Sequence, residues 1–452
     1  MTNVRNRSRS LAALGLLGLC ALTSGLSACF DSDLTEVPKN IIVADNLYTN
    51  LSGFEAGLNA LYFQVRRERF GQDNSNNGLV QTAMTAGTDN VYGMYVSPPE
   101  RIFNQWVNFN VPANDFITHI WNLMYQTINA ANTIVDRAEN PSVSWTPEEK
   151  ARVVGEARLI RAWAYRHLTY LYGDVPLNLH ESTGSNIRTD WERTPRDSVR
   201  RAIINDLRFA EANLPATSAN SGKVVKAVAQ HYLAEMYLAL NKPDSAEIWA
   251  QAVVSSGLYK LITARYGVRA NQPGVPFMDQ FYDGNVNRVQ GNTEVLWALQ
   301  YAQNVLGGGA SIMRRTYLTR YEGNAGMKIT AENGGRGIGR LATTRYAINL
   351  YEANDQRGGM YAIRRFYIVN NPATIGTSGR KVGDTLKTVA TAVEPTSETN
   401  TNGSQTRLWP STRKWDWAEG PDSTVAEQYE DQPYIRYAET LLLLAEAQMK
   451  NG

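Results

Sequence analysis

The sequence predicts a mostly α-helical fold, in which a scaffold of tetratricopeptide-like helix pairs is interrupted by long irregular excursions and a few short strands. Two observations lead to this prediction. Between residues 116 and 256, five segments carry apolar residues at steps of three or four, and turn-forming stretches separate them. From Leu258 onward the composition changes to stretches rich in Gly, Asn and Arg, with few segments of strand-like pattern.

The best-defined helix is predicted between Thr146 and Tyr172, where regularly spaced apolar residues form one buried stripe. Thr146 can accept a hydrogen bond at the helix start, Pro147 suits the first helical position, and Glu149 can complete a capping box. Gly173 is typical of the residue at which such a helix stops. We therefore expect one helix that begins after Thr146 and ends before Gly173.

Shorter patterns of the same kind predict the rest of the scaffold. Helical patterns cover residues 116–138, 194–214, 224–240, 243–256 and 433–449, and strand patterns cover residues 294–301 and 361–369. Small residues at positions where helices would cross are typical of tetratricopeptide repeats, which have a period of about 34 residues. These small residues are Ala227, Ala234, Ala246 and Ala250. The sequence contains no clean consensus repeat.

The first residues have the form of an export signal. A basic start precedes an apolar run from Leu11 to Leu22, which is shorter than the roughly 20 residues of a membrane span. The stretch Leu26–Cys29 that follows is similar to the lipobox of bacterial lipoproteins. The sequence therefore predicts a signal peptide over residues 1–28, lipidation at Cys29 and a tether over residues 29–44. The alternative is an ordinary signal peptide with a chance cysteine.

The composition argues against several classes of function. Removal of residues 1–28 takes away three arginines and leaves 42 basic residues against 43 acidic ones, so the protein has no general attraction for nucleic acid. It also takes away Cys20, and with Cys29 lipidated no thiol remains for disulfides or thiolate chemistry. The four histidines are widely separated in the sequence. We expect no metal site and no cofactor.

Six segments, in order along the chain, resemble the SusD/RagB family of outer-membrane nutrient-binding lipoproteins. They are the lipobox Leu26–Cys29, the run Val154–Tyr165 continued by Leu171–Leu177, the stretch Ile204–Leu207 with Leu214 and Pro215, then Ala246–Leu261, Glu294–Tyr301 and Tyr434–Ala447. One such segment alone has little specificity. The ordered set spans nearly the whole chain and indicates the fold much more strongly than the ligand.

The resemblance implies a mostly helical domain over residues 45–452, with four tetratricopeptide-like helix pairs and no catalysis. It implies a lipid anchor in the outer membrane, display toward the cell exterior, and a SusC-like TonB-dependent β-barrel transporter as the partner that receives a nutrient, expected to be a glycan. Acidic residues in the tether are similar to the surface-export signal of such lipoproteins, although a solvated linker has the same composition.

Two further expectations follow from the resemblance. In the family, the segment that resembles residues 434–447 is followed by further helical sequence, so we expect the C-terminal end of the domain to be missing here. Most matching residues should belong to the scaffold. The charged residues Glu156, Arg158 and Arg161 are therefore expected to pair with neighbouring helices rather than to catalyse a reaction.

The candidate ligand-binding residues lie in predicted loops that come before and after the main run of helices in the sequence. In the family the glycan lies on an aromatic surface built from such loops, and flat rings suit the apolar faces of sugars. Turn-forming glycines, an Asp-Asn pair and tyrosines without helical spacing mark residues 85–95 as a surface loop. The candidates are Asp89, Asn90, Tyr92, Tyr95, Trp106, Tyr317 and Tyr321.

Other interpretations of these residues stay open at the level of sequence. The aromatic side chains could pack the loops onto the scaffold instead of facing a ligand. The helix pairs could bind a peptide on a concave face, as helical repeats do. A glycoside hydrolase would need two carboxylates about 5 to 10 Å apart, and pairs such as Asp89 with Glu100 can be nominated for that role.

Overall fold

The computed structural model describes residues 43–70, 80–94, 115–184, 186–388, 408–416 and 423–452. The chain divides into two compact units, Met1–Leu47 and Tyr48–Gly452. In the first unit the described part is Val43 with the short helix α1 (Ala44–Leu47). The predicted signal peptide, Cys29 and most of the tether lie outside the described residues. Within the described ranges, no helix has both the length and the apolar character required to cross a membrane.

The second unit is built mainly from α-helices, which confirms the predicted fold class. The long helices are α2 (Leu51–Arg66), α4 (Asp115–Arg137), α5 (Pro147–Leu171), α6 (Arg196–Asn213), α7 (Lys226–Ala239), α8 (Pro243–Ser255) and α12 (Tyr437–Asn451). Short helices are α3 (Val80–Thr85), α9 (Pro276–Asp279), α10 (Met313–Tyr317) and α11 (Arg345–Asn349). The predicted helices between residues 116 and 256 are confirmed to within two residues at each end.

Helix α5 shows how closely local sequence sets the ends of an element. The Thr146 hydroxyl accepts a hydrogen bond from the Glu149 amide at 3.1 Å, and the Thr146 amide donates to the Glu149 carboxylate at 2.8 Å. Pro147 occupies the first turn. Just past the helix, Gly173 has a φ of +73°, a conformation in which a side chain would be strained. The predicted capping box and stop are both confirmed.

The core lies where consecutive helices pack against each other, α4 on α5, α5 on α6, α6 on α7 and α7 on α8. Helix α2 packs on α4 and α5, and the last helix, α12, packs on α7 and α8. Phe54, Leu58 and Leu61 of α2 are completely buried in this core. Burying each such side chain contributes about 1.5–3 kcal/mol, so apolar packing between helices is the main source of stability.

The strands form four two-stranded antiparallel sheets among the described residues. The pairs are β1 (Val91–Gly93) with β3 (Leu341–Thr343), β2 (Val295–Leu299) with β8 (Gln432–Arg436), β4 (Ile363–Arg364) with β7 (Ser411–Thr412), and β5 (Phe366–Ile368) with β6 (Thr385–Lys387). The strand patterns at residues 294–301 and 361–369 are therefore confirmed.

One predicted helix boundary is wrong. Residues 433–436 were expected to begin the last helix, but they belong to β8, and helix α12 starts at Tyr437. Strand β2 is buried along its whole length, so its backbone groups need partners that water cannot supply. Pairing with β8 provides them, and this tertiary requirement overrides the helical pattern of the segment.

The charged residues of α5 pair with neighbouring helices, as predicted. Arg161 is 3% exposed, and its guanidinium donates two hydrogen bonds of 2.7 Å to the Asp206 carboxylate on α6. Arg158 stacks over the ring of Phe209, 4.2 Å from its centroid. Glu156 accepts a hydrogen bond from the Tyr62 hydroxyl of α2 at 2.6 Å. These charges hold helices together in the interior.

A second buried polar network joins parts of the chain that are far apart in sequence. The Trp163 indole of α5 donates to the Tyr434 hydroxyl of β8 at 2.7 Å. The same hydroxyl donates to the carboxylate of Glu68, which follows α2. Burial, and then the nearby Glu68, hold the pKa of Tyr434 well above its usual value. The network therefore fixes β8 against the first and the middle helices of the scaffold.

Candidate functional site

The candidate site is a cavity of about 450 Å³ on the side of the molecule formed by the excursions. Residues of β1, β3, β4 and β7, of helices α9, α10 and α11, and of the end of β8 contribute to it. The described lining residues are Asn90, Val91, Phe277, Met313, Tyr317, Thr343, Ala347, Tyr351, Arg357, Ala362, Ile363, Thr412, Lys414, Trp415 and Arg436. They come from both ends of the chain, so the cavity exists only in the folded protein.

The turn before β1 sets the position of Asn90. The Thr88 hydroxyl donates to the Thr85 carbonyl at 2.8 Å and accepts from the amide of Asn90 at 3.3 Å. The Asn90 carbonyl accepts from the Thr344 amide at 2.9 Å, next to the β1–β3 pair. The side-chain amide of Asn90 has no hydrogen-bond partner among the described residues, and the residue is exposed. This amide can therefore donate and accept toward a ligand.

Four aromatic side chains line the cavity: Phe277, Tyr317, Tyr351 and Trp415. Trp415 is half-buried, and the guanidinium of Arg69 lies 4.9 Å from its ring centroid. Arg69 is itself held by hydrogen bonds to Gln432 and to the backbone of β8. The Trp415 ring is consequently fixed before any ligand arrives, which lowers the entropic cost of using it in binding.

Three basic side chains complete the lining. Arg436 donates to Glu294 at 2.8 Å, and Arg357 is paired with Asp355 at 2.6 Å. Lys414 belongs to the same lining, and its ammonium is 5.4 Å from the ring centroid of Phe281. Burial, together with the neighbouring positive charges of Arg436 and Arg357, lowers the pKa of Lys414 to about 8.

The lining combines several kinds of side chain that can contact a ligand. It offers ring faces, an amide, threonine and tyrosine hydroxyls, and cations. Among the described lining residues there is no carboxylate, so the pair of acids that a glycoside hydrolase needs is not present in the part of the site that the structure describes. Across the described ranges, no group of three or more His, Cys, Asp or Glu residues is arranged to hold a metal ion.

The structure brings together two of the residues predicted from the sequence. Asn90 and Tyr317 both line the cavity, although they are far apart in the sequence. Asp89 is exposed next to the cavity but does not line it. Tyr95 and Trp106 lie outside the described residues.

Two predicted tyrosines are buried away from the cavity. Tyr92 is 8% exposed and meets the Trp409 ring edge to face, with the ring centroids 6.0 Å apart. Tyr321 is fully buried, lies parallel to Tyr367 at 4.5 Å, and donates to the Gly335 carbonyl. In this structure both rings are buried in small clusters formed by residues of the excursions, and neither has a face available to a ligand.

Most of the other lining residues were not anticipated from the sequence. Tyr351 and Arg357 lie in an irregular stretch without a motif, and Arg436 lies in a segment expected to be scaffold. The run Arg413-Lys414-Trp415 combines basic and aromatic residues outside any periodic pattern. That combination was the one signal in the sequence that could have pointed to this part of the site.

A second hollow, of about 370 Å³, lies between α4 and the segment after α5. It is lined by Trp121, Tyr125, Ile128, Asn129, Pro176, Asn178, Ser182 and Trp191. Its polar groups are largely committed, because Asn129 accepts from the Ser182 amide at 2.8 Å and Tyr125 donates to the Pro176 carbonyl at 2.7 Å. It therefore offers fewer free donors and acceptors than the cavity at Asn90.

The fold and the cavity together define a helical-repeat binding protein, and sequence comparisons give its family. One family model, described as "Starch-binding associating with outer membrane", matches residues 47–238, and a second, described as "SusD family", matches residues 293–452. Together they match about three quarters of the chain. The chain belongs to the SusD/RagB family.

Curated relatives agree with this assignment. A SusD-like protein of Formosa agariphila is 27% identical over 281 residues, which cover 62% of this chain and 51% of the relative. A SusD-like protein of Bacteroides ovatus is 29% identical over 216 residues, which cover 47% of this chain and 37% of the relative. The matched region thus spans about half, or less, of the length of these relatives.

Solved structures show the same fold. A SusD homolog from Bacteroides thetaiotaomicron superposes with a TM-score of 0.67 at 17% identity, covering 90% of this chain and 75% of that one. Surface glycan-binding protein A from Bacteroides uniformis gives 0.64 at 16% identity, covering 88% and 76%. A laminarin-binding SusD-like protein gives 0.65 at 19% identity, covering 89% and 81%.

Proposed function

We propose that this protein is a lipid-anchored, cell-surface glycan-binding protein that captures oligosaccharides and delivers them to a SusC-like TonB-dependent transporter in the outer membrane. We propose that it does so without catalysis. The observation that carries the proposal is the cavity at Asn90, which combines fixed aromatic rings with uncommitted polar groups. The names of two structural relatives, one a surface glycan-binding protein and one laminarin-binding, support it.

The cavity suits a sugar for a simple chemical reason. A pyranose ring has an apolar face of C–H groups and a rim of hydroxyls, so it needs a flat ring beneath it and donors or acceptors at its edge. Trp415 and Tyr351 can supply the flat surface, while Asn90 and Thr343 can supply edge contacts. At about 450 Å³ the cavity has room for one or two sugar rings of a longer chain.

Glycan binding is tested by titrating the purified, detergent-solubilised protein with a panel of oligosaccharides in a calorimeter. Loss of one stacking ring should cost about 1 kcal/mol, or roughly five-fold in affinity, and we expect Tyr351→Ala and Trp415→Ala each to weaken binding at least that much. Trp191→Ala, which removes an aromatic ring from the second hollow, is the matched control and should bind normally.

The outcomes of this experiment separate the possible sites. If Trp191→Ala weakened binding while both cavity variants bound normally, the second hollow would replace the cavity as the site. If the protein bound members of a peptide library but no oligosaccharide, glycan binding would be refuted and a peptide-binding scaffold would replace it. Thermal unfolding of each variant shows whether a loss of affinity reflects a loss of structure.

Delivery to a transporter is tested separately. The affinity-tagged protein, solubilised from outer membranes in mild detergent, should retain a TonB-dependent β-barrel protein through purification. Recovery of the tagged protein alone, under conditions in which other complexes of the same membranes survive, would count against this partner.

A further inference from the structure

We propose that the cavity is selective for negatively charged oligosaccharides, and that Lys414, Arg357 and Arg436 bind a carboxylate or a sulfate group of the ligand. The inference rests on the proposed function of the same cavity and names its class of ligand.

Basic side chains are concentrated in the described lining of the cavity. The predicted mature protein is close to neutral, with 42 basic and 43 acidic residues. The described lining of the cavity nevertheless holds three basic side chains and no acidic one. A neutral sugar requires no such excess, since its hydroxyls are bound as well by amides and hydroxyls. A local field of one sign in a concave site attracts ligands of the opposite sign.

Lys414 is a partly buried cation of this lining. The side chain is half-buried, its ammonium lies 5.7 Å from the ring centroid of Phe277, and no carboxylate of the described residues lies within ion-pair distance. Surrounding positive charges from Arg436, Arg357 and Arg69 further disfavour the charged form, and Glu294 favours it. A partly desolvated cation without a counter-ion is costly, and an anionic ligand would supply the missing charge.

The two arginines contribute differently from Lys414. Arg436 uses Nη1 to reach Glu294 and Gln280, while its Nε and Nη2 have no partner among the described residues. Arg357 uses Nε and Nη2 for Asp355, and its side chain is 61% exposed at the edge of the site. Both arginines are therefore already neutralised in part, yet each keeps donors that can reach an oxyanion. Lys414 supplies the net positive charge.

The ligand group is identified by its chemistry as a singly charged oxyanion. A uronate carboxylate and a sulfate ester both present oxygen acceptors to ammonium and guanidinium donors. The experiment therefore uses one probe of each kind. The probes are a tetragalacturonate, a sulfated galactan tetrasaccharide, and a neutral glucan tetrasaccharide of the same length.

The experiment compares affinities of the detergent-solubilised protein for these three probes at low ionic strength. The wild type should bind at least one charged probe at least ten-fold more tightly than the neutral probe. Lys414→Gln should weaken binding of that probe ten- to a hundred-fold, the range of a lost hydrogen bond to a charged group. Lys414→Arg, which retains the charge, should restore most of the preference. Lys381→Gln removes an exposed lysine outside the cavity and is the matched control.

A pH series gives a readout that a purely structural role of Lys414 would not produce. Because the pKa of Lys414 is about 8 in the free protein, preference for the charged probe should decrease as the pH rises from 7 to 9. The decrease should be absent in Lys414→Arg, since arginine stays charged over this range.

The outcomes distinguish this inference from the proposed function. Equal binding of charged and neutral probes, with Lys414→Gln unaffected, would overturn the charge selectivity and leave glycan binding intact. Failure of the protein to bind any oligosaccharide would overturn both. Preference for only one charged probe would support the inference and identify the group as carboxylate or sulfate.

Discussion

Removal of the Asp206 carboxylate should destabilise the protein strongly, because it leaves the Arg161 charge buried without a partner. The Arg161 side chain is 4% exposed, and two of its hydrogen bonds, both of 2.7 Å, end on Asp206. Its other contacts, to Asn132 and to the Leu179 carbonyl, are neutral acceptors and cannot balance the charge. Breaking a buried ion pair on one side typically costs about 3–5 kcal/mol.

This cost can be converted into a shift of the unfolding temperature. An unfolding entropy of about 2.1 cal/mol/K per residue, over a unit of roughly 400 residues, amounts to about 0.85 kcal/mol/K. Asp206→Ala should then lower the unfolding midpoint by about 4–6 °C in differential scanning calorimetry. The double variant Arg161→Met with Asp206→Leu removes both charges and should recover most of that loss.

The matched control is the exposed pair of Arg188 and Asp190. The distance between their charged atoms is 3.0 Å, similar to the buried pair, but the two side chains are 54% and 79% exposed. Solvent screens such a pair, so Asp190→Ala should leave the midpoint unchanged within error. Equal effects of Asp206→Ala and Asp190→Ala would refute the reasoning, because burial would then not decide the cost.

Two further predictions concern the lipid anchor and acid stability. Cys29→Ser should abolish metabolic labelling of the protein with a fatty acid and release it from the membrane fraction, and unchanged labelling would show that Cys29 is not the acylated residue. His231 is buried, and burial lowers its pKa below 6.5, so the folded state resists its protonation. The unfolded state therefore takes up more protons, stability is lost as the pH falls below 6.5, and His231→Gln should reduce this loss in urea titrations at pH 5 and pH 7.

The scaffold could be predicted from the sequence because its determinants are local. Helix α5 is marked by its apolar spacing, its capping box and its stop glycine, all within 30 residues. The error in the predicted start of α12 arose because its determinant is not local. Residues 433–436 form a strand because β2, well over one hundred residues earlier, needs a partner, and no local pattern contains that information.

The candidate site was much harder to predict, because it too depends on contacts between distant parts of the chain. The sequence of a tyrosine-rich loop does not indicate which ring is buried. Tyr92 packs against Trp409, and Tyr321 packs against Tyr367. The neighbours of Asn90 depend on the pairing of Val91 with Thr343, about 250 positions along the chain. Loop composition singled out Asn90 and Tyr317, which both line the candidate cavity, whereas Arg357 and Arg436 lie in segments without such a signal.

The network of Glu68, Trp163 and Tyr434 has a consequence for how the chain reaches its folded state. Its members are separated by up to 366 residues, so the network cannot form until nearly all of the described chain has been synthesised. Contacts of such separation are slow to form, because the entropy of closing the loop must be lost first. Helices α4 to α8 can pack together earlier because they are neighbours in the sequence. Until β8 is in place, the surface that it covers stays exposed to water. We therefore expect a late folding step that depends on β8.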